Sequence, residues 1–361
     1  MANAHYAEAE SASQQVSTGE GVFTMSPERA RPPGMYDVAR LAGVSHQTVS
    51  RVINAHPNVA AETRRRVELA IAELGYRRNT AARALVTRHS NTIGVITSVS
   101  AHWGPSTTLI GVEMAARDAG FYVSVAGLNS MQPKAVRDVI NHFADQGVEG
   151  IVVIAPEAAM AHVTEPFVTD IPLVMVAAGI QPVPGVMTTA IDQQLGAVLA
   201  TAHIADLGHT RIGHVAGPDP WFDAIERVKG WRQELRSRHL RPGPLLRGDW
   251  SVESGYRLGQ ELRRRGNPPT AMFVANDLMA IGFIRAMYEA GIRVPEDMSV
   301  VGFDDIPGVS HLIPSLTTVR QDLPALGHQC IDILLAELNH SPKNFPLVEP
   351  VLVVRDSAQS V

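Results

Sequence analysis

The alternation of short apolar runs with longer helical patterns beyond Thr92 is the feature that most restricts how this chain can fold. Helical periodicity separates most of the runs, as in Leu109–Ala119, Gln193–Leu207 and Asp277–Ala290. Near-continuous apolar strands joined by helices are typical of parallel sheets that are covered on both faces. We therefore expect an α/β fold with two such sheets. The predicted strands are Thr92–Thr97, Phe121–Ala126, Gly150–Ala155, Pro172–Ala177, Arg211–Gly217, Thr270–Asn276 and Ser299–Asp305.

Composition sets the broad class of the protein. Hydrophobic residues make up 45% of the 361 residues and charged residues 19%, as in soluble globular proteins. No apolar run approaches the roughly 18–20 residues that a membrane helix needs, and no secretory signal opens the chain. Cys330 is the only cysteine, which excludes an intramolecular disulfide and a cysteine cluster for zinc. We expect a cytoplasmic protein that contacts no membrane and has no cofactor and no metal.

Positive charge is concentrated near the N-terminus. The net charge is −5, yet residues 35–90 contain nine Arg, no Lys and only four acidic residues. A basic module on an acidic body suits the binding of phosphates, and Arg also suits contact with base edges. On charge alone, a solvated charged helix is the alternative. Residues 1–34 are rich in Ala, Ser, Gln, Glu and Pro and predict a disordered tail.

Three short helices are predicted after this tail. Asp37–Ala42 has helical spacing, and a tight turn leads to Ser45, which can cap a second helix that ends near Asn54. Glu62–Leu74 predicts a third helix, which Gly75 ends. The first two helices and their turn form a helix-turn-helix, whose second helix enters the major groove of DNA. The side chains expected to meet DNA are His46, Gln47, Thr48, Ser50, Arg51 and Asn54.

Each of these residue types suits a base edge. Arg51 can bind guanine with two hydrogen bonds, Gln47 can pair with adenine, and Thr48 can touch a thymine methyl group. The alternative is an ordinary helical hairpin with polar residues outside. The Ala-Gly-Val-Ser turn, followed by an exposed Gln-Thr pair and an Arg, favours DNA recognition.

The run from Tyr36 to Asn54 resembles the DNA-binding headpiece of the lactose-repressor (LacI/GalR) family of transcriptional regulators. The resemblance implies a hinge at residues 79–85 that becomes helical on operator DNA, with Leu85 as a wedge in the minor groove and Ala82 beside it. Arg78 stands where the family commonly has Pro, which removes a preset φ. The resemblance implies further DNA contacts at Tyr36, Ser45, Thr63, Tyr76 and Asn79. One headpiece reads few base pairs, so we expect a homodimer on a pseudo-palindromic double-stranded operator.

The similarity extends from Thr92 to about Val354. The landmarks are Ala205–Gly213, Gly248–Ser251, Val274–Ala280 and Val300–Asp305. The family folds this region as two Rossmann-like subdomains of periplasmic-binding-protein type, with an effector in the cleft between them. The expected domains are a tail (1–34), a headpiece (35–78), a hinge and linker (79–90) and an effector-binding and dimerisation domain (91–361). Its subdomains are expected at roughly 91–190 plus 321–347 and 191–320 plus 348–355.

Polar residues mark the expected cleft. Asn276 and Asp304 end strand runs, and Arg227 stands at the position of the family's effector-gripping Arg. Arg donates paired hydrogen bonds, Asp accepts them, Asn does both, and a Trp ring can stack on a sugar. Alternatively, Asn276 is a helix cap and Trp250 a core residue. The expected effector-binding residues are Ser98, Trp103, Asp223, Arg227, Trp250, Asn276, Asp304 and Gln321.

These features predict a repressor of carbohydrate-utilisation genes that a sugar releases from its operator. Trp221 and Phe222 add aromatic surface, which suits a β-galactoside or β-glucoside with a second ring. The alternative is a regulator that needs a corepressor such as a purine. An enzyme is not expected, because no dinucleotide-binding GxGxxG, P-loop or nucleophile elbow is present. An exported sugar-binding protein would fit the body but not the headpiece.

Overall fold

The computed structural model describes residues 31–77, 89–99, 102–155, 157, 170–180, 185–341 and 343–361. They belong to two compact units, Met1–Asn79 and Thr80–Val361. The hinge predicted at residues 79–85 lies outside the described residues, as does most of the predicted tail. In the described part of the chain, no helix is long and apolar enough to span a membrane.

The first unit is a bundle of three helices, α1 (Met35–Ala42), α2 (His46–Ile53) and α3 (Ala61–Leu74). Gly43 and Gly75 end α1 and α3 in the left-handed conformation, with φ of 63° and 60°. Val38, Val49 and Val67 form the fully buried centre of the bundle.

The helical spacing of Val38, Leu41 and Ala42 only partly matches this core. The side chain of Leu41 is 46% exposed, and Ala39 is buried in its place. The apolar face of α1 is therefore narrower than its sequence suggests.

The first sheet of the second unit is entirely parallel, with strand order β2-β1-β3-β4-β5. Its strands are β1 (Thr92–Ser98), β2 (Tyr122–Leu128), β3 (Gly150–Ile154), β4 (Leu173–Val176) and β5 (Val186–Thr189). Helices α4 (Trp103–Asp118) and α5 (Pro133–Asp145) connect β1 to β2 and β2 to β3.

The second sheet has the order β11-β10-β9-β8-β6-β7, and only β11 is antiparallel to its neighbour among these pairings. Its strands are β6 (Arg211–Ala216), β7 (Arg241–Arg247), β8 (Ala271–Val274), β9 (Ser299–Asp304), β10 (Thr317–Arg320) and β11 (Val351–Val353). The helices of this half are α6 (Gln193–Asp206), α7 (Phe222–Ser237), α8 (Val252–Arg264) and α9 (Asp277–Glu289).

The last helix, α10 (Leu323–Leu338), returns to the first sheet. Its Cys330 and Leu334 are fully buried in one cluster with Val95 of β1. A Cβ on Gly327 would lie 2.7 Å from Cα of Gly111 in α4, so the two helices are in direct backbone contact. The first sheet is therefore covered by a helix that comes late in the chain.

The chain passes between the two sheets three times, after β5, after β10 and before β11. Two of these crossings pair through their backbones, since Asp192 N–H donates to Val348 O at 2.9 Å and Val348 N–H to Ala190 O at 3.0 Å. Leu323 packs with Ile191 in a small apolar cluster at the same place. The three crossings together form the connection between the two halves.

The predicted fold class is confirmed. All seven predicted strands are present within a few residues of their expected bounds, whereas β5, β7, β10 and β11 were not predicted. The helix expected from Leu109 begins earlier, at Trp103.

Candidate DNA interface and effector cleft

The start of α2 carries the candidate DNA-reading residues. Ser45 caps the helix, because its hydroxyl accepts from Thr48 N–H at 3.1 Å and lies 2.9 Å from the Thr48 hydroxyl. The hydroxyl of Thr48 is therefore engaged by the capping residue Ser45. Gln47 and Arg51 are exposed one turn apart, so both are available to a ligand on this face of the helix.

His46 begins α2 and stacks on a residue of α1. The rings of Tyr36 and His46 have centroids 4.9 Å apart with an interplanar angle of 15°. Tyr36 nevertheless remains 69% exposed. The stack therefore ties the first residue of α2 to the start of α1 and leaves a polar edge accessible.

The other headpiece residues that were predicted to contact DNA differ in how exposed they are. Asn54 is exposed and Ser50 half-buried, while Thr63 in α3 and Tyr76 after it are also half-buried. Tyr76 packs against the core of the bundle. The other positions predicted to contact DNA, Asn79, Ala82 and Leu85, lie outside the described residues.

Asp37 organises the N-terminus of α1. Its carboxylate accepts from Gly34 N–H at 2.9 Å and forms ion pairs with Arg31 and Arg40. The hydrogen bond from Gly34, followed by that from Arg31, lowers the pKa of Asp37. Arg40 is thus engaged by an acid, whereas Arg51 of α2 forms no ion pair with any residue that the structure describes.

A cleft of about 390 Å³ lies between the two sheets of the second unit. That volume includes space that is open to solvent. Seven of the eight predicted effector-binding residues line it, whereas Ser98 is not among the lining residues. The full lining is His102, Trp103, Gly104, Pro105, Trp221, Asp223, Arg227, Trp250, Asn276, Leu278, Asp304 and Gln321.

Arg227 is the cation of the cleft and is only 3% exposed. Its Nε–H donates to Gln193 Oε1 at 2.9 Å, and one terminal nitrogen donates to the carbonyl of Ala275. The other terminal nitrogen lies 3.9 Å from Asp223 and 3.8 Å from Asp304. The guanidinium of Arg227 is therefore hydrogen-bonded through Nε and one terminal nitrogen, while its other terminal nitrogen faces two carboxyl groups beyond hydrogen-bond distance.

The guanidinium also lies between aromatic rings. Its central carbon is 3.8 Å from the ring centroid of Phe303 and 5.5 Å from that of Trp250. Such contacts favour a cation that is shielded from water. They hold Arg227 in one place before any ligand binds.

Three carboxyl groups lie near this cation; Asp277 and Asp304 are buried and Asp223 is half-buried. Burial raises the pKa of Asp304 to about 7, although the charge of Arg227 acts in the opposite direction. Burial also raises the pKa of Asp223, against the effect of Arg227. Asp277 lies at the start of α9, where burial and then the charge of Asp304 raise its pKa to about 8. All three carboxyl groups are therefore harder to ionise here than in water.

Aromatic side chains form one wall of the cleft. The rings of Trp221 and Trp250 meet edge to face with centroids 5.6 Å apart, and His102 meets Trp221 edge to face at 5.0 Å. Burial lowers the pKa of His102. An apolar wall beside a polar floor suits a ligand with distinct apolar and hydroxyl-bearing surfaces.

Asn276 caps α9, because its Oδ1 accepts from Met279 N–H at 3.0 Å. Its Nδ2 donates to the carbonyl of Trp250 at 3.1 Å. Both the oxygen and the nitrogen of the amide thus have partners within the protein. These contacts are those of a helix cap, which was the alternative to a role in ligand binding. Asn276 also fixes the backbone of Trp250 at the edge of the cleft.

Sequence reasoning missed two buried residues here, Gln193 and Asp277. Gln193 bonds Arg227, and Asp277 accepts from the Thr318 hydroxyl at 2.6 Å and from Ile306 N–H at 2.9 Å. The only sign of either residue in the sequence was its position, after a strand and at the start of a helix. Many residues without a functional role occupy the same position, so this position alone does not identify a site.

Two family profiles match the chain. Residues 34–79 match bacterial regulatory proteins of the lacI family, and residues 201–358 match a periplasmic binding protein-like domain. The lactose operon repressor of Escherichia coli (strain K12) is 38% identical over 307 residues, which are 84% of each protein. The HTH-type transcriptional repressor PurR of Haemophilus influenzae is 33% identical over 90% of this chain and 98% of its own length.

Solved structures agree with this assignment. The lac repressor dimer bound to operator and the anti-inducer ONPF matches with a TM-score of 0.83 and 35% identity, covering 91% of this chain and 100% of that chain. A complex of the transcriptional regulator CelR with cellobiose matches with a TM-score of 0.65 and 30% identity, covering 90% and 99%. The chain belongs to the lacI family of bacterial regulatory proteins. It is a DNA-binding transcriptional repressor, and the predicted resemblance is confirmed.

Proposed function

We propose that this protein is a homodimeric repressor that leaves its operator when an uncharged sugar binds in the cleft. The observation that carries the proposal is the cleft itself, where Arg227 and two carboxylates lie beside the Trp221–Trp250 pair. Sugar hydroxyls both donate and accept, so they can use an Arg and an Asp together. The apolar face of a pyranose suits the indole rings.

The charge of the cleft favours a neutral ligand. Arg227 already faces Asp223 and Asp304, and Asp277 is close enough to influence Asp304. A phosphorylated sugar would bring two negative charges into a buried site whose described cation, Arg227, already faces two carboxyl groups, which is unfavourable at low dielectric.

The ligand is proposed to have two rings, such as a β-galactoside or a β-glucoside. Trp103, Trp221 and Trp250 place three indole side chains in the lining of the cleft, so a second sugar ring could contact an indole that the first ring does not. The CelR relative, in its complex with cellobiose, is a precedent for a two-ring sugar in this fold.

The proposed mechanism is a shift of population between two placements of the halves of the sensor. His102 and Trp103 come from the side of the first sheet, and Arg227 and Trp250 from the side of the second. A ligand that touches both sides stabilises the placement in which these groups are correctly spaced. If that placement differs from the one that binds DNA, the ligand lowers operator affinity.

Operator recognition is proposed to use the exposed start of α2 in each subunit of a dimer, with the hinge wedge Leu85 bending the operator. The lac repressor dimer bound to operator is the precedent for a dimer on DNA. The protein is proposed to act in the cytoplasm, with the DNA that it binds. Leu85→Ala should abolish the operator bend, and an undiminished bend in a circular-permutation gel would contradict the wedge.

A thermal-shift screen tests the ligand. We expect lactose or cellobiose to raise the melting temperature, since a ligand of the folded state stabilises it. Glucose 6-phosphate and hypoxanthine should not. A response to hypoxanthine alone, with tighter operator binding, would replace this proposal by the corepressor alternative.

A pair of variants then tests the site. Arg227→Ala should bind operator DNA but no longer respond to the sugar that stabilises the parent protein. Arg232→Ala, exposed on the same helix, is the matched control and should respond normally. A normal sugar response in Arg227→Ala would show that the binding site is elsewhere.

A further inference from the structure

A continuous chain of buried hydrogen bonds leads from Arg227 to Asp304. Arg227 Nε–H donates to Gln193 Oε1 at 2.9 Å, and Gln193 Nε2–H donates to Gln321 Oε1 at 2.8 Å. Gln321 Nε2–H then donates to Asp304 Oδ1 at 2.7 Å. All four side chains are less than 10% exposed.

The direction of this hydrogen-bond chain is fixed by Arg227, which can only donate. Asp304 ends the chain with an acceptor oxygen, which the carboxyl group offers whether or not it carries a proton. Each amide must therefore present its oxygen towards the arginine and its nitrogen towards the carboxylate. Reversing one amide would place two donors or two acceptors against each other in a buried site, which is costly.

The two amides stand on two of the three crossings between the sheets. Gln193 is the first residue of α6, directly after the crossing that follows β5. Gln321 follows β10 and precedes α10, which begins at Leu323. The third crossing, at Val348, is already joined to the first by backbone hydrogen bonds. The Gln193–Gln321 bond is thus a side-chain link between the first crossing and the one after β10.

We infer that Gln193 is a positioning residue that fixes Arg227 in the cleft and couples it to the crossings between the two sheets. The inference rests on the proposed effector function of the cleft. A ligand whose hydroxyls shift Arg227 or Asp304 also displaces the hydrogen-bonded side chains of Gln193 and Gln321. It therefore acts on both crossings. Gln193 itself does not line the cleft, so it acts through Arg227 and Gln321.

Three variants separate the two bonds of Gln193. Gln193→Leu removes both bonds at similar side-chain volume. Gln193→Glu keeps an acceptor for Arg227 but, beside that cation, has no proton to donate to Gln321. Gln194→Leu is the matched control, since the neighbouring Gln bonds only Gln233 among the described side chains, away from the cleft.

Hydrogen–deuterium exchange of the ligand-free full-length protein gives the first readout. Amides of residues 321–326 should exchange roughly 5- to 100-fold faster in Gln193→Leu and Gln193→Glu, because a buried partner of Gln321 is lost. Residues 226–230 around Arg227 should exchange faster only in Gln193→Leu. The Glu variant also serves if the Leu variant does not fold. Exchange like that of Gln194→Leu in both variants would overturn the inference.

Cellobiose and lactose, used as probes, give the second readout. Gln193→Glu should keep sugar affinity within about threefold of the parent protein while the sugar concentration that releases operator DNA changes at least fivefold. Equal changes in affinity and release would reduce Gln193 to an ordinary binding contact and overturn the coupling. If neither sugar binds the parent protein, the proposed function fails, and the exchange experiment still decides the role of Gln193.

Discussion

Gly217→Ala should displace the ring that forms one wall of the cleft. Gly217 is buried directly after β6, and a Cβ there would lie 2.6 Å from Cζ3 of Trp250 and closer still to Cη2 and Cζ2. Carbon atoms in ordinary contact are about 3.5–4.0 Å apart, so the indole must move by more than about 1 Å. The ring is only 5% exposed and packs against Trp221, so it has little room to move.

The cost of this overpacking sets the expected magnitude. Inserting a methyl group into a packed core costs about 1–3 kcal/mol. For a unit of this size, that corresponds to a melting temperature lower by about 2–12 °C. Sugar affinity should fall by about 2- to 12-fold, because a displaced indole loses a stacking contact worth about 0.5–1.5 kcal/mol.

Calorimetry and tryptophan fluorescence test this expectation. The melting temperature should fall, the emission should shift, and operator binding without ligand should be retained. Gly104→Ala is the control, since it adds a methyl group at the cleft where nothing lies within 4 Å of the new Cβ. Parent-like melting and emission in Gly217→Ala would refute the packing argument.

Three further predictions concern the headpiece and the buried acids. Arg51→Ala or Gln47→Ala should weaken binding to the operator by about 1–3 kcal/mol while nonspecific binding changes much less; an equal loss on both DNAs in a mobility-shift titration would exclude base reading. Ser45→Ala should destabilise the headpiece by about 1 kcal/mol in urea, because Thr48 N–H loses its capping acceptor, and unchanged unfolding would contradict the cap. Burial and then the charge of Asp304 raise the pKa of Asp277 to about 8. The folded protein therefore keeps this proton at pH values above about 3.9, where the unfolded chain has lost it. The free energy of unfolding should consequently fall by up to about 1.4 kcal/mol per pH unit between these two values. Asp277→Asn should flatten that fall, and an identical pH profile for the variant and the parent would show that Asp277 is ionised in the fold.

The central strands other than β10 were predictable from the sequence, whereas three of the four edge strands were not; the edge strand β2 was predicted. β3 is buried along its whole length and reads as an apolar run. β7 is an edge strand with two Pro, and β11 and β5 are short strands at other edges. An edge strand pairs on one side and meets solvent, so its sequence loses the continuous apolar signal.

β10 was missed for another reason. It is buried but begins with two Thr, whose polar groups are satisfied by distant residues. Thr317 N–H donates to Ser357 Oγ at 2.8 Å, and the Thr318 hydroxyl donates to Asp277. Polar residues that are buried through long-range partners carry no local sign of burial.

The same distinction applies to the cleft. Asp304 and Asn276 were accessible to sequence reasoning because parallel strands present their carboxyl ends at one edge of a sheet. The contact between Gln193 and Gln321 joins residues that are 128 positions apart, and no spacing rule connects them. Whether the residues that line the cleft bind the effector stays a prediction.

The late return of α10 to the first sheet has a consequence for synthesis on the ribosome. The strands of that sheet emerge early, but the helix that brings Cys330 and Leu334 to its core emerges only after the whole second sheet except β11. Until then, Gly111 in α4 lacks the helix that packs against it. The first half of the nascent chain therefore exposes an apolar face until α10 has been synthesised, and chaperones bind such exposed apolar surfaces. A chain truncated before Leu323 would never leave that state.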